Sequence, residues 1–313
     1  MFGRLVDVIV CNSRGVAIKL VDHLQGSQAL ICEGDIEAQP AEERTKLELS
    51  VYNLSANIRS TIKSEELDKI IVKFGYKDLN DGELDIIFMG DIKRIIHQRE
   101  DAVTSLTKFY AYEMGDCYDY GYFSGVILAG TSCYDAVMTI AKNGTQTIPV
   151  IPSEALKRFE INKSKSYYGK QMELICTIAK SCNMSVYTNN GRVIINTEQE
   201  NYSTEVIIMS ATNERNKLVS ASGLIGIPTM TDDGVQFECL INPRMTVFSL
   251  VLIANSLISD TREGFEPSNQ AGAEFDQNGI YRVISIDTHF TNGMGESKMT
   301  CKALSREYYA DTL

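Results

Sequence analysis

The sequence predicts an α+β chain that is mostly β. Three observations carry this: strand-period alternation through the first hundred residues, helical periodicity confined to the middle, and alternation again from about Val206 to the end. In the first region Leu47, Leu49 and Val51 alternate with Glu48, Ser50 and Tyr52, the pattern of a half-buried strand. Ile70, Val72 and Phe74 repeat it, and Asp81-Gly82 supplies turn chemistry. Leu84 to Ile96 reads as a long strand interrupted at Gly90-Asp91, where glycine suits a bulge or sharp bend in a curled sheet or barrel. Ser55 to Ile62 reads as one short helix.

In the middle, Tyr134, Val137, Met138 and Ala141 fall on one helical face, with Thr131 or Ser132 to cap it and Asn143-Gly144 to stop it. A second helix is expected over Tyr167 to Cys182, with Tyr168, Met172, Ile175 and Ala179 sharing a face. Val186 to Thr188 and Val193 to Ile195 flank Asn190-Gly191, a hairpin whose two turn residues need positive φ. Val206 to Ile208 reads as a strand, and Asp233-Gly234 as a turn before the alternating Val235, Phe237, Cys239 and Ile241. Met245 to Ile258 reads as a buried strand pair or a strand ending in a bend, too short and too polar for a membrane helix. Ser259 to Gln277 reads as an exposed loop. Ile280 to Ile286 and Lys298 to Leu304 form the closing strands, joined by Asn292-Gly293-Met294-Gly295. The expected division is therefore 1–130, 131–205 and 206–313.

Thirty Lys and Arg against 41 Asp and Glu give a formal net charge of −11. That balance argues against a protein whose task is to grip nucleic acid, since phosphate binding needs clustered cations. The N-terminus shows no signal-peptide core. The eight cysteines include no CxxC, and Cys176 and Cys182 fall on different faces of one helix, which disfavours zinc. They read as isolated thiols made in a reducing cytosol, with disulfides after release into an oxidising environment left open.

Catalytic motifs are scarce. Walker A, GxGxxG, GxSxG and HExxH are all absent, and His23, His97 and His289 have no ligand-spaced partner on a helix. His289 reads as an outward or partner-facing imidazole. Glu42-Glu43, Glu65-Glu66 and Asp232-Asp233 sit in polar connections and read as solvated surface. No catalytic, cofactor or metal residue is assigned. Tyr110, Tyr112, Tyr118, Tyr120 and Tyr122 interleave with Glu113, Asp116 and Asp119, so acid rather than base accompanies the rings. Ordinary aromatic packing and an interface rim are both open readings there.

Four segments together resemble the baseplate hub proteins of tailed phages, including the tail-protein D relatives. They are Val51-Tyr52-Asn53-Leu54-Ser55 with Val72, Gly75 and Tyr76; Ile87-Phe88-Met89-Gly90-Asp91-Ile92; Ser222 to Pro228 with Leu240-Ile241-Asn242-Pro243-Arg244-Met245; and Gly279 to Val283 with His289. Where the family pattern continues into a glycine turn, this chain has Val247-Phe248-Ser249. The resemblance implies two tail-tube-like β-barrel domains with an α/β middle region. It implies a non-enzymatic homotrimer whose six similar domains match a hexameric tail tube to a trimeric central spike around a channel. The implied partners are further copies of the chain, the tail tube protein, the spike and, beyond them, baseplate wedge and tape measure proteins. DNA would pass the channel without specific binding, and an acidic bore would suit that. The expected location is the virion's tail baseplate, after synthesis in the host cytoplasm. A tail-tip cell-wall hydrolase, or another tail ring component, is the alternative. The motif residues singled out as structural are Asn53, Leu54, Gly90, Gly223, Gly226, Pro228, Asn242 and Pro243, with the five tyrosines as interface candidates.

Overall fold

The computed structural model describes residues 3–41, 43–77, 83–197, 207–209, 223–231, 234–260 and 278–305. The expected Asp81-Gly82 turn, the Asp232-Asp233 pair, Glu42, Ser222 and most of the Ser259–Gln277 loop lie outside them. The fold is α+β and mostly β.

Seven strands come from the first region: β1 (Arg4–Cys11), β2 (Ala17–Val21), β3 (Cys32–Ala38), β4 (Lys46–Tyr52), β5 (Lys69–Tyr76), β6 (Asp85–Arg99) and β7 (Ser105–Tyr112). Between β4 and β5 lies helix α1 (Ala56–Ser64), started by the Ser55 hydroxyl accepting from Ile58 N–H. On β5 the residues alternate strictly between buried and half-buried, as the period-2 pattern requires. Gly90 does not mark the interruption expected in β6. The ladder runs through it opposite Ile70, and the register shifts fall at Val72/Lys73 and at Ile92/Arg94.

From the end of the first region, α2 (Gly115–Tyr120) and β8 (Tyr122–Ile127) pack into the core of the middle region, which follows with α3 (Cys133–Asn143), β9 (Val150–Pro152), β10 (Lys165–Lys170), α4 (Gln171–Ser181), β11 (Ser185–Asn189) and β12 (Arg192–Asn196). The second expected helix starts later than its pattern suggests. Tyr167 and Tyr168 belong to β10, which pairs antiparallel with β8 through Gly169 and Lys170. The helix proper begins at Gln171, a fully buried glutamine. Its Nε2 donates to Ile140 O at 2.6 Å and Gln146 O at 2.9 Å, and its Oε1 accepts from Gln146 N–H at 3.1 Å. One side chain thus satisfies the Ile140 carbonyl, one of those that α3 leaves open at its end, and ties it to the loop at Gln146. Asn190 and Gly191 take φ 49° and 74°, the turn expected of Asn-Gly.

The last region supplies β13 (Ile207–Met209), β14 (Leu224–Thr231), β15 (Gly234–Cys239), β16 (Leu250–Ile253), β17 (Ser259–Asp260), β18 (Ile280–Thr291) and β19 (Lys298–Ser305). Met245 to Ile258 resolves into turns, the single strand β16 and a 3-10 turn, rather than a strand pair.

These seven strands and the first seven form one 14-stranded sheet, ordered β17-β14-β15-β19-β18-β3-β4-β7-β6-β5-β1-β2, with β16 and β13 branching from β18. The seam is β18 against β3. Ile280 to Arg282 of β18 pair with β16, whereas Ile286 to Thr291 pair with Glu33 to Ala38 of β3. A register shift between Val283 and Ser285 separates the two stretches. Across the seam Phe290 faces Gly34, and the buried ring fills the space a side chain there would take: a Cβ on Gly34 would lie 2.4 Å from Phe290 Cζ.

One hydrophobic core runs under both sets of strands, including Val8, Phe74 and Phe109 with Phe237, Val251 and Tyr281. A separate core holds the middle region, around Ile140, Leu156, Ile175 and Val193, and takes in Met114 and Ala41. Glu113 ties the two. Its Oε1 accepts from Gly191 N–H and its Oε2 from the Thr188 hydroxyl, each at 2.8 Å. Burial raises the Glu113 carboxyl above its ordinary value, against the lowering effect of those bonds and one from Thr45.

Candidate assembly surfaces

Asn53 and Leu54 form the corner between β4 and α1. Asn53 takes φ 56°, and its backbone N–H and side-chain oxygen clasp Ser105 O and N at 2.8 and 2.9 Å. Asparagine tolerates that left-handed conformation while closing the turn itself. Leu54 is buried in the main core. Gly90 permits close approach, since a Cβ there would meet Tyr112 O at 2.6 Å.

Gly223, Gly226 and Pro228 lie along an irregular edge of β14. Gly223 and Gly226 have φ 60° and 69°, and the pairing with β15 slips between Ile225 and Thr229. That bulge pushes Ile227 out to 71% exposure while Pro228 stays buried. Asn242 and Pro243 open a turn in which Asn242 Oδ1 accepts from Arg244 N–H at 3.0 Å. The bend after it needs no glycine: Phe248 itself adopts φ 70°. Its N–H donates to Val283 O at 2.8 Å and its ring packs edge-on against Tyr187, centroids 5.8 Å apart. Those contacts hold a conformation that a large residue seldom adopts.

The five tyrosines are spread over β7, α2 and the start of β8 and do not form one face. Tyr110 and Tyr112 are half-buried, Tyr118 is buried with its hydroxyl donating to Ala41 O at 2.7 Å, and Tyr120 and Tyr122 are exposed. Burial raises the Tyr118 hydroxyl above its ordinary value. Sequence order hid the cations that join them. Arg44 stands over the Tyr118 ring at 5.2 Å and bonds Asp119 at 2.6 Å. Lys93 bonds Asp116 at 2.5 Å and Asp119 at 3.0 Å, and lies 5.3 Å from the Tyr120 ring. Burial works to raise the Asp119 carboxyl, but its bonds to Lys93 and Arg44 leave it below the ordinary value.

The histidines sit in three separate places. His23 Nδ1 is 2.8 Å from Asp7, His97 lies against Arg59 and Thr107, and His289 Nδ1 is 2.7 Å from Asp35 across the seam. Asp7, Asp22 and His23 lie close enough to share an ion, but Lys19 Nζ already sits 3.0 Å from both carboxylates. The eight cysteines are free thiols. Four of them are less isolated than their spacing suggests: Cys133 lies beside Cys182, and Cys239 beside Cys301, whose Sγ donates to Met245 Sδ at 3.4 Å. Cys182 caps the end of α4 and reaches the start of α3, while β15 and β19 carry the other pair. Burial, with the neighbouring Cys182 thiol, pushes the Cys133 thiol up to about 12. Among the described residues no helix is long and apolar enough to cross a membrane.

No protein-family model matches this sequence, and no curated protein sequence matches it. Solved structures do. A tail protein from Neisseria meningitidis superposes with a TM-score of 0.58 at 9% identity, over 98% of both chains. A 43 kDa tail protein of prophage MuSo2 from Shewanella oneidensis gives 0.59, also at 9% identity and 98% of both chains. The chain has the fold of phage tail proteins. A component of the E. coli type VI secretion system, described as structurally similar to the T4 tail proteins gp27 and gp5, gives 0.54 at 7% identity, over 90% of this chain and 75% of that one.

Proposed function

We propose that this chain is a structural baseplate hub of a phage tail or a related contractile injection device. In this reading it is a homotrimer of pseudo-sixfold symmetry that joins a hexameric tail tube to a trimeric spike and leaves a central channel. The observation that carries the reading is the sheet itself. Two sets of seven strands, from opposite ends of one chain, lie side by side across the β3–β18 seam, in a fold matched along its whole length by tail proteins. Residues 1–130 and 206–313 then act as the two tube-like domains, and 131–205 as the region between them. Three copies bring six such domains into a ring, so a threefold object meets a sixfold one without changing the chain.

The motif residues act through backbone geometry in this reading. Asn53, Leu54 and Gly90 shape the first domain, and Gly223, Gly226, Pro228, Asn242 and Pro243 shape the second. Tyr120 and Tyr122 are exposed and fit an interface role, whereas Tyr118 fits internal packing. The role is non-enzymatic and needs no cofactor. The partners are tube, spike, wedge and tape measure proteins, the location is the virion tail, and DNA passes without specific binding. Electron microscopy of the purified chain, alone and with a spike trimer, tests this. Threefold rings with six similar densities around a bore are expected. A monomer under both conditions, or two sets of strands that fail to superpose, would overturn it. Clearing of peptidoglycan by the purified protein would instead favour a tail-tip hydrolase.

A further inference from the structure

β8 and β10 form an isolated two-stranded ribbon on the middle region. One face turns Phe123, Ile127 and Tyr167 into the core beneath. The opposite face carries Tyr122, Val126 and Tyr168, and Leu128 follows in the same alternation, at 45, 62, 84 and 64% exposure. Among the described residues thirteen large apolar side chains are exposed, and seven of them fall between Tyr120 and Tyr168. Single exposed apolar groups are ordinary on a soluble surface, but a cluster of this kind marks a contact site. Tyrosine in particular supplies large contact area with few torsions to freeze.

Charge says what covers it. From Gly115, where α2 begins, to Thr197 the chain carries eight Lys and Arg against six Asp and Glu, and the remainder carries 22 against 35. Lys170 continues the outer-face alternation of Tyr168 and pairs with Tyr122, whereas Lys165 alternates with Tyr167 and its Nζ lies 5.2 Å from that ring. The surface that fits is therefore acidic with room for aromatic rings, and every copy of this chain carries a strongly acidic remainder. We propose that the outer face of the β8–β10 ribbon is a self-assembly surface, seating the middle region of one copy on the acidic body of the next. The inference rests on the trimer reading above and assigns that trimer one of its contacts. Because the ribbon and the surface it meets are different parts of the chain, the contact is heterologous, and repeating it three times closes a ring. Opposite net charges on the two sides speed encounter and make it salt-sensitive.

The test is sedimentation of the full chain across a concentration series at low and high salt. It compares wild type with the double variant Val126→Asp/Tyr168→Asp and with Lys170→Glu. Val126 and Tyr168 are exposed and Lys170 is half-buried, so circular dichroism and thermal melting should show the variants folded like wild type. Wild type is expected to be trimeric, with affinity falling as salt rises. The double variant should self-associate about 100-fold more weakly or worse, as loss of a central aromatic anchor does, and Lys170→Glu should weaken the salt dependence. Carbodiimide should link Lys170 to carboxylates outside residues 115–197 of a neighbouring copy. Folded variants that trimerise like wild type overturn the ribbon assignment and leave the trimer standing. A wild type that stays monomeric at every concentration overturns both. If the variants keep the trimer but lose a different tail protein, the occupant is that protein and the self-contact is refuted.

Discussion

Gly34→Ala probes the seam most directly. The added Cβ would lie 2.4 Å from Phe290 Cζ, 2.7 Å from its Cε1 and 3.2 Å from Leu49 Cδ1. Ordinary carbon contact is about 3.5–4.0 Å, so the ring has to move by about 1 Å in a site that is fully buried. Overpacking of that kind costs about 1–3 kcal/mol. Phe290→Ala alone empties the same space and costs about 3–5 kcal/mol. In the double variant the new methyl enters room the ring has vacated. The two losses should then fall short of additivity by about 1–2 kcal/mol, within the range of touching pairs. Urea unfolding of the four proteins at one matched concentration measures the cycle. If Gly34→Ala is as stable as wild type, or if the losses simply add, the packing described for the seam is wrong.

Glu113 predicts a pH dependence. Its carboxyl is raised in the folded chain above the ordinary value of 4.5, so the folded state binds its proton more readily than the unfolded state does. This group's contribution should therefore make the chain more stable as pH falls from neutral through the raised value. It should level off below about 4.5, and Glu113→Gln should flatten that slope. Glu113→Ala leaves Gly191 N–H and the Thr188 hydroxyl without their acceptor and should cost at least about 1–3 kcal/mol at neutral pH, read from unfolding curves. At Phe248, φ 70° reverses a usual ranking: the Gly variant should be more stable than the Ala variant by about 1 kcal/mol in thermal melts. Gly226→Ala meets no atom within 4 Å and should cost only the φ strain, about 1 kcal/mol. Gly223→Ala, which also meets Leu240 Cβ at 2.8 Å, should cost more. Equal losses at the two glycines would contradict the geometry of the β14 edge.

Local chemistry was readable from the chain. The Ser132 cap, the Asn190-Gly191 turn and the alternation of Val235, Phe237 and Cys239 all depend on neighbours within a few residues. Tyr168 misleads because Tyr167 to Lys170 fits a helical face on paper, while pairing with β8, more than 40 residues earlier, makes it a strand. Gly90 looks like a bulge for a similar reason, because its tight spacing is set by Tyr112 on another strand. The clusters that sequence order hid have long-range partners. Arg44 and Lys93 reach Asp116 and Asp119 across the fold, and Gln171 reaches back to Ile140. The seam brings Asp35 to His289, about 250 residues apart, and no periodicity encodes that pairing. The motif segments gave the right kind of fold because they mark turns and edges that the strands need, whatever assembles on them.

β18 belongs to two sheets' worth of neighbours, six of its residues lying against β3 and an earlier stretch against β16. Pulling the two ends of the molecule apart along that strand would strain six rungs at once in shear, instead of peeling them one after another.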